Sequence, residues 1–432
     1  MTASRLRGNG KPQMSSDSAA ASPDTEAFSY KGYRYFWVAA VATSFATQIM
    51  SVSVAWQVYD LTRNPLYLGL VGLSQFAPAL LLVLVTGLVS DRFSRRMVIA
   101  VCLGIEFVCA LGFLAFSGAG VHQVWPIFAI LTTLGVARAF LSPANQSLAP
   151  NLAPPQALAS AITLNSMSWQ FANIVGPMAG GLLYGVSPVV AYSLAAGVIV
   201  VAIAMVLLIP KPPKRTGAQA TSTETLLAGF RYIWRERIVL GAISLDMFAV
   251  LLGGAVALLP VYARDILDTG PLGLGLLRSA PGVGAIVLAL IMTRFPVRDH
   301  AGAILFGFVA AFGLFTTLFG FSTSVWFAVP ALFMVGATDM VSVVIRETLM
   351  QLWTPDELRG RVSAVNGVFL GASNELGEFR AGVVAAWLGA VAAVTIGGMG
   401  TMAVAAIWSQ LFPELRRARS LDRPMARPAD AA

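Results

Sequence analysis

The chain has 432 residues, of which 57% are apolar and only 12% charged, and its mean hydropathy is +0.74. So few charges cannot cover a water-soluble surface of that size, which excludes a soluble enzyme or soluble binding module and predicts a polytopic membrane protein. The net charge of +8 does not point to nucleic acid, because its distribution along the chain gives membrane orientation instead.

Residues 1–32, rich in Ser, Ala, Gly and Asp, are expected to form a disordered tail. No cleavable signal sequence is expected, because the first apolar segment is too long and lacks a cleavage pattern. Apolar runs then follow at 33–58, 66–90, 97–119, 124–148, 158–184 and 188–209. After the polar stretch 210–237 come six more, at 238–262, 272–293, 301–321, 325–349, 361–386 and 389–411. About 20 apolar residues cross about 30 Å of hydrocarbon as a helix, so each run is long enough to span. The fold expected is all-α and integral to the membrane, with twelve transmembrane helices in two pseudo-symmetric six-helix bundles. The bundles are 33–209 and 238–411, joined by the linker 210–237 and followed by a tail, 412–432. The second half of the linker, Glu224 to Arg237, reads as a basic amphipathic helix lying on a lipid surface, with Arg231, Tyr232, Trp234 and Arg235 at the interface.

On this assignment the basic residues outside the spans fall almost entirely on one side, and the other side carries only Arg63 and Arg264. The positive-inside rule then places both termini in the cytoplasm of a multi-pass protein of the bacterial inner membrane. Cys102 and Cys109 lie two turns apart on one helical face, which suits buried thiols rather than a disulfide. His122 and His300 fall in loops with no second ligand nearby, so no metal site is expected.

Between the second and third runs lies Gly87-Leu88-Val89-Ser90-Asp91-Arg92-Phe93-Ser94-Arg95-Arg96. A basic loop of this length is an ordinary stop between spans. The order of Gly87, Asp91, Arg92, Arg95 and Arg96 is more specific, and it resembles the loop signature of the major facilitator superfamily. The match departs at Val89 and Ser94. That resemblance implies two six-helix halves with a substrate site between them, worked by alternating access. An internal repeat, read independently, agrees with two halves. Val58-Tyr59 recurs as Val261-Tyr262, Gly72-Leu73 as Gly275-Leu276, and Ala77-Pro78 as Ala280-Pro281, at a separation of about 200 residues. Pro155 and Leu158 recur as Pro355 and Leu358, and Asn165, Asn173 and Gly176 as Asn366, Asn374 and Gly377. The loop signature decays in the second copy, so the halves differ there. The intact copy reads as a latch that closes the cytoplasmic side, with Asp91 set against Arg359, Arg361 and the start of the eleventh span.

Further stretches narrow the resemblance. Gly176-Pro177-Met178-Ala179-Gly180-Gly181 is expected to pack closely against another helix, since Pro177 bends the fifth span and the glycines make a flat face. It also resembles the end of the helix-5 motif of facilitator exporters, although its usual upstream glycine is replaced by Ala172. Ala55-Trp56-Gln57-Val58-Tyr59-Asp60-Leu61-Thr62, Asp356 to Arg361 and the acidic run in the eleventh span resemble the efflux branch that includes the enterobactin exporter.

No phosphate-binding loop of the Gly-x-x-x-x-Gly-Lys type and no hydrolase motif is present, so neither an enzyme nor a self-contained ATP pump is indicated. No cofactor is expected. A proton gradient is the drive expected, since one charge crossing 100 mV supplies about 2.3 kcal/mol. Ionisable residues inside spans mark the sites where that drive acts. Asp246 has no evident sequence partner and is the first choice for a proton or cation site. Arg138 and Asp339 are equivalent positions in the two halves and are expected to pair across the cavity, either as a static ion pair or as one loosened by protonation. Gln48 and Gln57 belong to the polar middle of the first span, suited either to the cavity or to interhelical hydrogen bonds. Glu106 and Arg278 read as packing charges. Glu375, Glu378 and Arg380 sit in the outer half of the eleventh span, in a functional or a fixed charge network. The function expected is export of a small amphipathic molecule (siderophore, drug or metabolite) by proton antiport, from a chain working as a monomer among lipids with no nucleic-acid partner. An importer of the same fold, or a membrane sensor or scaffold, is the alternative.

Overall fold

The computed structural model describes residues 26–120, 123–210, 223–297 and 299–418. The two tails and the first half of the linker thus lie mostly outside the described residues. All of the principal elements are helices: α1 (Lys31–Thr62), α2 (Pro65–Arg92), α3 (Arg95–Gly118), α4 (Trp125–Leu152), α5 (Leu158–Val186), α6 (Pro188–Leu208) and the linker helix α7 (Thr223–Arg235). Then come α8 (Arg237–Gly253), the single turn α9 (Leu259–Val261), α10 (Gly270–Arg294), α11 (Ala301–Gly320), α12 (Val325–Trp353), α13 (Asp356–Leu388), α14 (Ala390–Leu411) and the short α15 (Pro413–Arg416).

Local chemistry sets several of the ends. Asn64 caps α2 by accepting from the Leu66 amide at 3.0 Å, and Pro65 occupies the first turn, where no amide donor is needed. Ser187 and Pro188 repeat the device at the start of α6. The seventh span does not run as one α-helix. It stops at Gly253, passes through a 3-10 turn and α9, and ends in a π-helical turn at Tyr262–Ile266. Arg237–Ile266 nevertheless forms one apolar crossing.

Counting that crossing once, twelve long helical segments are present among the described residues, and ten of them are apolar and long enough to cross a membrane. The two that fall short in apolarity are α5, with Asn165, Gln170 and Asn173, and α13, with Glu375, Glu378 and Arg380. Both make the main contacts between the two halves, α5 with α10 and α13 with α2. A helix turned toward protein rather than lipid tolerates polar side chains, which accounts for the difference.

Within the first half α1 packs on α5 and α6, and α4 on α2 and α3; within the second, α10 and α11 pack on α12, and α14 on α8 and α11. The ends bearing Arg95, Arg96 and α7 form one face, here termed the basic end. The Tyr33 hydroxyl donates to the Ala161 carbonyl there, joining the start of α1 to the start of α5. The expected linker helix is present as α7, but it is seated on the second half. Gly229 lies against the Arg361 backbone, Ile233 is buried, and the Tyr232 hydroxyl donates to the Trp353 carbonyl. Arg231, Trp234 and Arg235 remain exposed.

Candidate functional site

The halves meet toward the face opposite the basic end, here termed the far end. On α5 and α10 the approach is backbone to backbone. A Cβ on Gly181 would lie 2.3 Å from the Pro271 carbonyl oxygen, and one on Gly275 would lie 2.6 Å from that of Pro177. Gly180 packs in the same way on Ile49 of α1, and Gly176 takes the Gln48 side chain. The Gly176–Gly181 stretch is therefore a joint between halves as well as a close-packing face. Gly181→Val is expected to force α5 off α10, lowering stability by about 1–3 kcal/mol and stopping turnover. Melting temperature in detergent and transport rate are the readouts. Gly185→Ala, where a Cβ meets nothing within 4 Å, serves as the silent control.

On α2 and α13 the glycines Gly69 and Gly382 allow a similar approach. Between them the carboxylates of Glu375 and Glu378 converge on Gly72, 2.5 and 3.3 Å from where its Cβ would stand. Arg278 of α10 donates to the Ser51 hydroxyl of α1 at 3.0 Å, and its charge faces these two acids. Arg380 turns the other way and donates to the Leu252 carbonyl. The three α13 charges are thus not one network.

Arg138 does not pair with Asp339. Its Nε stands 3.5 Å from Glu106, and it donates to the Gln75 side chain at 2.7 Å, all within the first half. Equivalent depth in two repeats does not bring two side chains together when each finds a partner in its own bundle. Glu106 is fully buried and both its oxygens lack a hydrogen bond among the described residues, so Arg138 supplies its only counter-charge there. Glu375 is the acid facing Arg138 from the other half.

Asp246 does have a partner: it forms an ion pair with Arg346 of α12, with the two side chains only 8% and 5% exposed. Asp339 lines the same small cavity, about 10 Å³, with Leu245, Phe312 and Ser342. That volume is at the lower limit for one water molecule. The pairing of α8 with α12 carried no sequence signal, because Asp246 and Arg346 are a hundred residues apart in different spans.

Gln57 makes interhelical hydrogen bonds. It is buried between α1, α3 and α6, donating to Ser117 at 2.9 Å and accepting from Tyr192 at 2.7 Å. Gln48 is only partly buried and donates to Asn173 of α5. The side chains of Gly87, Asp91 and Arg92 lie outside the described residues. Arg95 donates to the Ser147 carbonyl at 3.1 Å, and Arg96 to the Ile209 carbonyl at 2.7 Å and to that of Leu207. Both arginines thus serve the C-terminal ends of α4 and α6, where a cation is favoured. Arg359, the expected counterpart of the latch, is engaged by Asp356 at 2.7 Å and by the Gln351 carbonyl at 3.1 Å.

Two six-helix halves, joined across polar and glycine-rich helices with charges buried in each, define a membrane transporter of the major facilitator fold. The family described as "transmembrane secretion effector" matches residues 23–428, and the chain belongs to it. It is 24% identical to the enterobactin exporter EntS of Escherichia coli O1:K1 over 401 residues, 90% of this chain and 94% of that protein. It is 25% identical to the enterobactin exporter EntS of Shigella boydii serotype 18 over the same shares. Among solved structures, a POT family transporter in complex with 5-aminolevulinic acid superposes with a TM-score of 0.70 at 12% identity, covering 91% of this chain and 98% of that one. A bacterial homolog of the human lysosomal transporter Spinster, inward-facing and unoccupied, gives 0.67 at 13% identity, covering 89% and 95%. At such identities these two speak for the fold alone.

Proposed function

We propose that this chain exports a small amphipathic organic molecule, a siderophore, drug or metabolite, from the cytoplasm by proton antiport. It works as a monomer in the bacterial inner membrane, with both termini cytoplasmic. The observation that carries the export reading is the likeness to enterobactin exporters along nearly the whole of both chains. The glycine joint between α5 and α10 adds to it, since it lets the halves meet closely at one end and part by rocking.

The proton reading rests on the second half. Asp246, Arg346 and Asp339 share one enclosed cavity, with two acids to one base. Arg346 is taken up by Asp246, so Asp339 is the acid beside them that the ion pair leaves over, and it is the group assigned to carry the proton. Glu375, Glu378, Arg138 and Gln48 offer the polar contacts of the cargo site between the halves.

Membrane vesicles of opposite orientation test direction and drive together. Inverted vesicles with an acid interior are expected to accumulate the cargo, and collapse of the pH gradient is expected to release it. Accumulation by right-side-out vesicles alone would replace export with import. A broad panel of amphipathic compounds that neither vesicle type takes up under a pH gradient would remove the transport reading.

A further inference from the structure

The segment from Trp56 to Arg63, at the end of α1, faces the π-helical turn Tyr262–Ile266 of the other half. Four charges meet there. Arg264 forms an ion pair with Asp60, and Arg63 reaches Asp265 at 3.4 Å. The Tyr59 hydroxyl donates to Asp265, and the Arg264 guanidinium stands 5.3 Å over the Trp56 ring. Each half therefore supplies one acid and one arginine, and each acid takes the arginine of the opposite half.

Both backbones are irregular where they meet. Arg63 ends α1 in the left-handed region at φ 50, which few residues other than glycine adopt, and Asp268 does the same at φ 49 just past the π turn.

The charges also have somewhere to go when the halves part. Arg63 already lies 3.8 Å from Asp60 of its own half, so Asp60 keeps a partner when the halves part. The clasp stands at a water-accessible end, where Arg264 and Asp265 pass to solvent, so the cost of separation is small. A lock of fully buried ions would not open so readily.

We propose that Tyr59, Asp60 and Arg63 with Arg264 and Asp265 form a reciprocal ionic clasp that holds the far end shut, and that its release is the step exposing the central site to that side. The inference rests on the reading of the chain as an alternating-access transporter. The clasp is water-accessible, with side chains of Arg63 and Asp265 54% and 39% exposed, so salt weakens it.

The test places spin labels at Val186→Cys and Trp326→Cys, two exposed far-end positions in opposite halves, in the full chain carrying Cys102→Ser and Cys109→Ser. In lipid nanodiscs without cargo, the parent is expected to show mainly the short distance, with a minor long-distance population. Asp60→Arg is expected to raise the long-distance, far-open population by about five- to ten-fold, and the exchange Asp60→Arg with Arg264→Asp to restore the short one. Raising salt from about 0.01 M to about 1 M shortens the screening length from about 30 Å to about 3 Å. In the parent this is expected to shift the population the same way, with no variant needed. An Asp60→Arg distribution matching the parent would overturn the clasp, as would an exchange that stays open, or a parent distribution indifferent to salt. The distance measurement requires no transport, so a chain that moves no cargo in vesicles would fail the transport reading separately.

Discussion

Replacing Asp246 with Asn is expected to destabilise the second half by about 3 kcal/mol. Arg346 would be left enclosed without its partner, and breaking a buried ion pair from one side costs about 3–5 kcal/mol. The lower end applies because Asp339 lines the same cavity and offers a second acid. Arg346 has little else to hold it, since its Nε lacks a hydrogen-bond partner among the described residues. The double variant Asp246→Asn with Arg346→Met should recover most of the loss, because it removes both charges and fills the space with an apolar side chain. Unfolding of the purified chains in detergent checks both. A single variant as stable as the parent would mean that the pair is not a stabilising contact in the membrane.

Replacing Asp339 with Asn separates coupling from stability. Among the described residues Asp339 has no ion pair in contact; its polar neighbour is the Ser342 hydroxyl, 3.5 Å from its carboxylate. The fold should therefore tolerate Asn with a change within about 1 kcal/mol. If the cluster carries the proton, pH-driven accumulation is expected to collapse. Losing one coupled charge forfeits about 2.3 kcal/mol per 100 mV, about fifty-fold in the gradient that can be held. Exchange of labelled for unlabelled cargo without a pH gradient should persist, because it needs the central site and not the proton. Wild-type accumulation in Asp339→Asn would move the proton site elsewhere, and Glu375 and Glu378 at Gly72 would be the next acids to replace.

The charged residues mark the limit of what the order of residues specifies. Their presence inside spans was plain, because a charge in an apolar run has no propensity reason to be there. Their partners were not. Arg138 looked equivalent to Asp339 by repeat position, yet it is held by Glu106 of the neighbouring helix α3. Asp246 looked alone, yet Arg346 reaches it from α12. Gln57 looked fit for a cavity, yet its helix face turns inward to Ser117 and Tyr192. Apolar periodicity gives weak guidance here, because a transmembrane helix is apolar on its lipid face and its packed face alike.

The amino-acid sequence by itself determined the membrane class, the run of crossings and the duplication into halves, because hydrocarbon thickness and backbone hydrogen bonding leave few choices to an apolar run of about 20 residues. It also marked the Gly176–Gly181 joint, since bare glycines in a span have close packing as their physical use. Only the tertiary structure decided what the Trp56–Thr62 stretch does. Its tyrosine, acid and following arginine acquire partners only when a π turn some 200 residues away is brought against them. Charge pairing is set by the rotation of each helix about its axis and by which neighbour it meets, and neither is written in the order of residues along one span.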